Sequence, residues 1–507
     1  MTTKGQGEGG RLREGPAPEL VAASFALEIA DAPILHRGLG LADLAHVLVL
    51  GESGILPPEV LARLLTRLVE LHALPVEDFV LDPKLEDVYS NREAWIRARD
   101  PEVAGWMGAG RPRREPATIA YRIAVRDRLL ELHAALGAFA VALVERATEH
   151  IGTVVPDYTY FQPATPTSLA HYLLAFAEPV LRDLERVRQA YRRNDACPGG
   201  IGNVNGTRLG LDRARLAGLL GFSKPVRHTR DAMWQADQPI ETMALLQAAL
   251  VNADRLAEDL QIWSTREFAL CELADRHARI SLIMPQKKNP YALAFIRGIT
   301  GNMLGRVVSM AAVGMTPSAQ MDNRIFAIGE VPRALDGGTR ALRLMAEVVR
   351  GLHFDVKRMA EAAGRGFVQA TDLAELIVQE KGVPYRQAHR IVALAVRQAL
   401  DANPEAQTVT QQGLEEAAKE VLGVALKLDP EIFASVEDPA GIVATRTQLG
   451  AAARGPVECM LGEIQAAVDA AAKWADGERR RLDAAEQALV KEAERVSASA
   501  ATSGECP

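Results

Sequence analysis

The sequence predicts an all-α fold, in which an elongated central bundle of long helices is flanked by smaller N- and C-terminal helical domains. Hydrophobic residues make up 48% of the 507 residues and aromatic residues only 5%. Ala, Leu, Glu and Arg are abundant, which favours helices over strands. Apolar residues recur every three or four positions over long stretches, as on the buried face of a helix.

The elements follow in chain order. Residues 1–18 are rich in Gly, Pro and charge and are expected to be disordered. A helix is expected to open at Pro57-Pro58, because Pro is favoured in a first helical turn. Changes in pattern then divide the chain into an N-terminal helical domain (19–115), the central bundle (116–364), a C-terminal helical domain (365–472) and a charged helical tail with a frayed end (473–507).

Three long helices are predicted in the central bundle. They cover 167–194, with a kink at Pro179, then 239–268, and a stretch that begins near Tyr291. The stretch Leu245–Leu250 is apolar on more than one side of its helix, and such a helix must bury both sides, often against another chain. The sequence therefore predicts a homo-oligomer.

Composition argues against several classes of protein. The net charge of −7 is too mild to imply a charged partner, and no basic patch with interleaved aromatics indicates nucleic acid. The four cysteines lack the spacing of a disulfide framework or a zinc site, so no metal and no cofactor are predicted. Without an apolar signal or an uncharged membrane-length run, we expect a cytoplasmic protein that does not bind membranes.

The run Ser281–Pro290 (SLIMPQKKNP) is the most distinctive segment of the chain. It reads as a short polar loop with two prolines and adjacent lysines, directly ahead of an apolar helix. Lysines and an Asn near a helix N-terminus add to its positive dipole end and to its free N–H groups, which suits a carboxylate. The alternative is a solvent-exposed basic turn without a function.

The MPQKKNP form of this run resembles argininosuccinate lyases, within the aspartase/fumarase superfamily. Further matches extend the resemblance from about residue 20 to 470. They are Glu86-Asp87-Val88, Gly110–Arg113, Asn205-Gly206-Thr207 with Asp212-Arg213, Leu256–Leu260, Thr371–Glu375 and Lys381–His389.

The resemblance implies a mechanism and a set of site residues. Ser281 matches the base that removes a proton beside a carboxylate, after which a neighbouring C–N or C–O bond breaks and fumarate leaves. Lys287 and Asn289 match residues that stabilise the intermediate. The family also implies a homotetramer whose active sites combine loops of three subunits, and a small anionic carboxylate as substrate. Substrate-binding roles are expected for Thr159, Gln162, Asn91, Tyr89, Arg111, Arg113, Arg114, Met284, Asn323 and Arg324.

The chain departs from the family at its proton-donor pair. The Thr-His-x-Gln element reads Thr159-Tyr160-Phe161-Gln162, and the Glu that pairs with the family's His is replaced by Ala294. Both halves are missing together, which avoids a buried Glu without its partner. Tyr160 is a candidate donor, although a phenol with a pKa of about 10 is a weak acid; His228 is another.

Other substrate positions differ as well. They include Tyr89 for a family His, Pro112 within the Gly-Arg-Ser-Arg-Asn-Asp element, and Asp322–Ala327 in place of Tyr-Asn-Arg-Asp-x-Gln. Argininosuccinate is therefore not the expected substrate, and a specialised, secondary-metabolic role is expected. Three hypotheses stay open: elimination of an amine from another N-substituted aspartate, a related reaction such as a cycloisomerisation or an addition to a fumarate-like acceptor, and a catalytically silent structural or regulatory oligomer.

Overall fold

The computed structural model of the chain describes residues 14–317 and 322–499. Most of the segment expected to be disordered (1–18), and the end expected to fray (504–507), lie outside these ranges. In the described ranges the helices are α1 (Pro18–Leu20), α2 (Ala26–Ala30), α3 (Ala32–Glu52), α4 (Pro58–Ala73), α5 (Val88–Arg99), α6 (Pro101–Ala104), α7 (Arg114–Glu149), α8 (Leu169–Asn194), α9 (Arg213–Leu219), α10 (Thr229–Met233), α11 (Asp237–Trp263), α12 (Tyr291–Gly314), α13 (Ile325–Arg350), α14 (Val356–Ala363), α15 (Ala370–Lys381), α16 (Tyr385–Ala402), α17 (Gln411–Leu422), α18 (Pro430–Ala434), α19 (Pro439–Ala444) and α20 (Arg454–Ser499).

Strands are few and short, so the all-α fold class is confirmed. They pair in four two-stranded sheets: β1 (Val154–Thr159) with β2 (Gln162–Ser168), β3 (Ala196–Cys197) with β4 (Lys224–Pro225), β5 (Cys271–Glu272) with β8 (His353–Phe354), and β6 (Arg279–Ile280) with β7 (Lys288–Asn289). The β3–β4 pair is parallel and the other three are antiparallel. Two of these antiparallel pairs, β1–β2 and β6–β7, carry residues predicted for the active site.

The long helices α7, α8, α11, α12, α13 and α20 pack around one large apolar core. Helix α8 begins two residues later than predicted, because Thr167 and Ser168 complete strand β2. The hydroxyl of Ser168 accepts a hydrogen bond from the backbone N–H of His171 at 3.1 Å and caps the helix. Pro179 lies inside α8 without ending it, and α11 stops at Trp263 rather than at 268.

The stretch Leu245–Leu250 does not need a partner chain, which corrects the argument made from its pattern. Leu246 and Leu250 have no exposed surface, and Leu245 is only 8% exposed, all within the core of the single chain. Large apolar side chains are instead exposed on α12, where Leu304 is 57% and Val308 63% exposed. Helix α12 therefore carries exposed apolar side chains that the described part of this chain does not cover.

Helix α20 runs unbroken for 46 residues, so the boundary predicted between 472 and 473 falls inside it. Its charged sequence hides an apolar face, on which Leu482, Leu489 and Ala493 are buried in the large core. Its outer side forms ion pairs, such as Glu486 with Arg37. A separate, smaller core joins α15 to α18.

Helix α3 is long and apolar enough to cross a membrane, with a mean hydropathy of 1.3 over its best window. The chain itself covers 83% of that window, because α3 packs against α4 and α7. Two buried ionisable side chains, Asp43 and His46, also lie on this helix. These contacts make α3 a core helix of the fold.

Candidate active site

The run Ser281–Pro290 contains a loop directly before a helix, as its sequence predicts, and the structure closes this loop as a hairpin. Strands β6 and β7 pair Arg279 with Asn289 and Ile280 with Lys288, which leaves 281–287 as the loop. The Ser281 hydroxyl accepts a hydrogen bond from the backbone N–H of Met284 at 3.2 Å. Helix α12 begins two residues after Asn289, so its N-terminal N–H groups and positive dipole end lie beside the loop.

The two adjacent lysines of this loop differ in their surroundings. Lys288 Nζ lies 2.6 Å from Glu272 and 2.7 Å from Asp275, and these hydrogen bonds raise the pKa of Lys288. Lys287 is exposed, and in the described part of the chain no side chain pairs with it. The charge of Lys287 is thus available to an anion, whereas that of Lys288 is already matched.

A groove of about 790 Å³ lies beside the loop. Arg266, Lys287 and Asn289 line it, together with polar side chains from the end of α11 and the following turn, namely Gln261, Ser264 and Thr265. The amide of Asn289 donates to the carbonyl of Arg279 at 3.0 Å and so holds the hairpin in register. Lys288, Glu272 and Asp355 line the groove as well, and Glu272 already pairs with Lys288 at 2.6 Å. The remaining cations, Lys287 and Arg266, and several hydrogen-bond donors suit the groove to a small carboxylate.

The element Thr159–Gln162 forms the tip of the β1–β2 hairpin. Thr159 pairs with Gln162, and the two residues between them both have a left-handed backbone, with φ of 55° at Tyr160 and 57° at Phe161. A two-residue turn of this kind normally takes Asn and Gly, so two aromatic residues strain it. Tyr160 is 97% exposed, and the groove beside the tip, about 390 Å³, is lined by Phe161, Pro163 and Arg358 among others.

Asn91 and Tyr89 lie on α5, where both are buried. The Asn91 side chain accepts a hydrogen bond from Asp82 N at 2.7 Å and donates to the carbonyls of Asp82 (3.1 Å) and Asp87 (2.9 Å). Through these hydrogen bonds the Asn91 amide holds in place the loop that precedes α5. Tyr89 is 5% exposed, and burial raises the pKa of its phenol to about 12.

Four arginines were predicted to bind substrate, and the three near the start of α7 are each paired with a carboxylate of this chain. Arg111 bonds Asp43, Arg113 bonds Glu86, and Arg114 bonds Glu28. Arg111 and Arg114 are also buried or nearly so, while 43% of the Arg113 side chain is exposed. Arg113 is therefore the one of the three that a substrate could reach without unfolding its surroundings.

Further predicted positions have different surroundings. Arg324 is 1% exposed and donates to the carbonyls of Arg114 (2.8 Å) and Met233 (3.2 Å), so it joins the starts of α7 and α13. Asn323 is half-buried beside it, and His228 is exposed at the start of α10. Ala294 is exposed in the first turn of α12. Met284 lies at the tip of the signature loop, 39% exposed.

The predicted residues thus form three clusters, at the signature loop, at the β1–β2 tip and around α5 with the start of α7. One groove is lined by residues of the signature loop, a second by residues of the β1–β2 tip, and a third by residues of α5 and the start of α7. The described residues contain no group of three or more His, Cys, Asp or Glu side chains able to hold a metal ion. Sequence reasoning missed Arg266 in the groove, although the polar run Ser264–Glu267 after a long helix was a visible signal.

Comparison with known proteins places these features in a family. A lyase family model matches residues 79–305, and a model of the argininosuccinate lyase C-terminal region matches 367–444. The argininosuccinate lyase of Methanothermobacter thermautotrophicus is 33% identical over 92% of this chain and 99% of its own length. That of Methanoculleus marisnigri is 34% identical over 92% and 94%.

A solved structure of a lyase has the same fold as this chain. A variant of EDDS lyase with bound fumarate superposes with a TM-score of 0.85 and 29% identity, over 96% of this chain and 97% of that one. The matches to family models and relatives span the bundle, the signature loop and the C-terminal unit. The chain therefore belongs to the argininosuccinate lyase family, within the aspartase/fumarase superfamily, and is a carbon–nitrogen lyase.

Proposed function

We propose that this enzyme eliminates an amine from an N-substituted aspartate other than argininosuccinate and releases fumarate or a related unsaturated acid. The observation that carries the proposal is the unmatched charge of Lys287 in a polar groove at the N-terminus of α12, on the same loop as Ser281. Such a groove suits the carboxylate half of the substrate. The likeness to the EDDS lyase structure, which binds fumarate, supports the same class of product.

In the proposed reaction Ser281 is the base. A serine hydroxyl is a poor base in water, so it must act as an alkoxide stabilised by fixed positive charge and N–H dipoles. The Ser281 oxygen takes the proton from the carbon beside a carboxylate, and the electron pair of that C–H bond delocalises into the carboxylate. Lys287, Asn289 and the N-terminus of α12 stabilise the extra negative charge of this intermediate.

The second step explains why the family's proton-donor pair can be absent. The electron pair returns to form the C=C bond, and the C–N bond breaks with its electrons moving to nitrogen. A secondary amine has a pKa near that of a lysine side chain, about 10, so the substrate nitrogen is already protonated at neutral pH. It therefore leaves as a neutral amine without help from a proton donor. Because Tyr160 and Ala294 replace the family's His and Glu donor pair, this favours a substrate with a scissile C–N bond over one with a scissile C–O bond.

The proposal includes a homotetramer with active sites shared between subunits. Each cluster lines a groove of its own, and we infer that loops from other copies complete the site. The exposed apolar face of α12, with Leu304 and Val308, offers a surface on which copies can pack. Within such a site Thr159, Gln162, Met284, Arg113 and Asn323 would position the substrate, and Tyr160 would contact the departing amine.

Fumarate release from a panel of N-substituted aspartates tests the proposal. The purified protein is compared with Ser281→Ala, and with Ser435→Ala as a matched control, since Ser435 is exposed in the separate C-terminal unit. We expect release that disappears only in Ser281→Ala, and a tetramer by light scattering. A folded tetramer without release in either direction, or a clean monomer, would contradict the proposal.

A further inference from the structure

A further groove of about 540 Å³ lies between the C-terminal half of α8 and the middle of α20, with Ser223 and Lys224 at its edge. The described residues that line it include none from the signature loop, the β1–β2 tip or the cluster around α5. Arg188, on its α8 side, lies nineteen residues beyond Leu169, the first residue of the helix, which is about 29 Å along the helix axis. The groove is therefore separate from the β1–β2 hairpin that precedes α8.

The carboxylates among the described lining residues, Asp195 and Glu478, are already neutralised by arginines of the chain. Asp195 is 4% exposed and accepts hydrogen bonds from Arg126 at 3.2 Å and from Arg481 at 2.9 Å. Glu478 accepts a hydrogen bond from the hydroxyl of the buried Tyr191 at 3.0 Å and pairs with Arg481 at 2.7 Å. These contacts hold the wall of the groove in place, and neither carboxylate is left for a further cation.

Three further cations line the same groove, and within the described ranges none of them makes a hydrogen bond. The guanidinium carbon of Arg188 lies 5.4 Å from the centre of the Trp474 ring, and Arg188 Nη1 is 3.9 Å from Glu185, which is beyond hydrogen-bond distance. Arg192 and Lys224 are exposed and form no ion pair with the described residues. Positive charge is thus concentrated at this groove, although the chain as a whole has a net charge of −7.

An anion with more than one negative charge suits this groove. A groove lined by unmatched cations attracts anions, and three cations can bind several acceptor oxygens at once. A phosphate group near neutral pH supplies both the charge and the oxygens. The surface proposed for contacts between copies lies on α12, which packs against α11 and α13, whereas α8 and α20 form this groove.

We propose that the groove binds phosphate, as the free ion or as a phosphomonoester, through Arg188, Arg192 and Lys224. The Trp474 ring holds the Arg188 guanidinium in place through a cation–π contact. Because the unfolded chain does not assemble the groove, the bound anion stabilises the folded protein. This inference does not depend on the proposed function.

Isothermal titration calorimetry of the full chain with inorganic phosphate, near neutral pH and at constant ionic strength, measures the Kd. The double variant Arg192→Gln with Lys224→Gln should raise the Kd roughly 10-fold or more, because hydrogen bonds between charged groups are strong. The matched control is Arg182→Gln with Arg208→Gln, which removes two exposed cations that do not line the groove and should leave the Kd unchanged. Phenyl phosphate is titrated in parallel, and the ligand with the lower Kd identifies the source of the phosphate group.

Saturable binding that is weakened only in the groove variant supports the proposal. No saturable heat from either ligand at millimolar concentrations, or equal weakening in both double variants, overturns it. Loss of phosphate binding in Lys287→Met would assign the anion to the groove beside the signature loop, which also overturns it. Light scattering is measured for both double variants, and an altered oligomeric state in the groove variant alone would mean that another copy of the chain occupies the groove instead of phosphate.

Discussion

Arg111 donates a hydrogen bond from Nη2 to Oδ1 of Asp43 at 2.6 Å, and both side chains are completely excluded from solvent. The same carboxylate accepts a hydrogen bond from Arg92 Nε at 2.8 Å. One buried negative charge thus serves two buried guanidinium groups, and the Arg111 guanidinium also lies 5.2 Å from the centre of the Tyr89 ring. This arrangement ties the stability of the N-terminal helices to the site.

Asp43→Asn should lower the free energy of unfolding by about 3–5 kcal/mol, because it leaves two buried cations without compensation. Glu102→Gln is the control, since Glu102 pairs with Arg63 at 2.9 Å while its side chain is 76% exposed, and it should cost less than about 1 kcal/mol. Urea unfolding at pH 7 measures both. Equal losses in the two variants would contradict the role assigned to Asp43.

The adjacent lysines of the signature loop should respond differently to the same substitution. Lys287→Met should lower kcat/KM for fumarate release roughly 10²–10³-fold, as loss of a charge that stabilises an intermediate does. Lys288→Met should lower it less than about 10-fold, because Glu272 and Asp275 already match that charge and it acts at a distance. Steady-state kinetics of both variants measure these losses. A larger loss of kcat/KM in Lys288→Met than in Lys287→Met would contradict the role proposed for Lys287.

The strained turn at the β1–β2 tip predicts a trade of activity for stability. Tyr160→Asn with Phe161→Gly replaces two left-handed aromatic residues by the pair that this turn prefers, and should raise the free energy of unfolding by about 1 kcal/mol or more. Fumarate release should fall. Lys427→Gly, which relieves another left-handed residue (φ of 53°) in the C-terminal unit, should stabilise without loss of activity. Thermal unfolding and kcat/KM are measured for both.

Burial predicts that His133 makes the protein less stable in acid. Desolvation, with Arg188 nearby, lowers the pKa of His133 from 6.5 to about 4. Between those values the unfolded chain binds a proton that the folded chain does not, so stability falls as pH decreases from 6.5 to 4 and the effect is complete below 4. It amounts to on the order of 3 kcal/mol. His133→Gln should flatten the dependence of the unfolding free energy over that window; an unchanged slope would contradict this origin.

The sequence predicted most of the fold but less of the site. Amphipathic periodicity located α8, α11 and the start of α12, because each buries one face in its own core. It missed the continuity of α20, because many charged residues separate its apolar ones. Several of these charged residues form ion pairs with residues that are distant in the sequence. The polar loop that begins at Ser281 was predicted from Pro and Lys placed before an apolar helix, whereas the pairing of β6 with β7 around it was not predicted.

The arginines of the α7 start were harder to interpret for the same reason. Asp43 and Glu28, which neutralise Arg111 and Arg114, lie 68 and 86 residues away in the chain. No local spacing indicates such pairs, so the three arginines resembled an anion-binding loop. The strain at Tyr160 and Phe161 was equally invisible, since it depends on the two-residue connection that the pairing of β1 with β2 imposes.

Helix α20 also constrains how the protein is made. It covers α4, and both belong to one core, yet roughly 380 residues separate the end of α4 at Ala73 from Arg454. At the usual rate of synthesis those residues take roughly 20–75 s. Throughout that interval the apolar side of α4, which includes Leu64 and Leu68, is not yet covered by α20. The large core is therefore completed only after α20 has been synthesised.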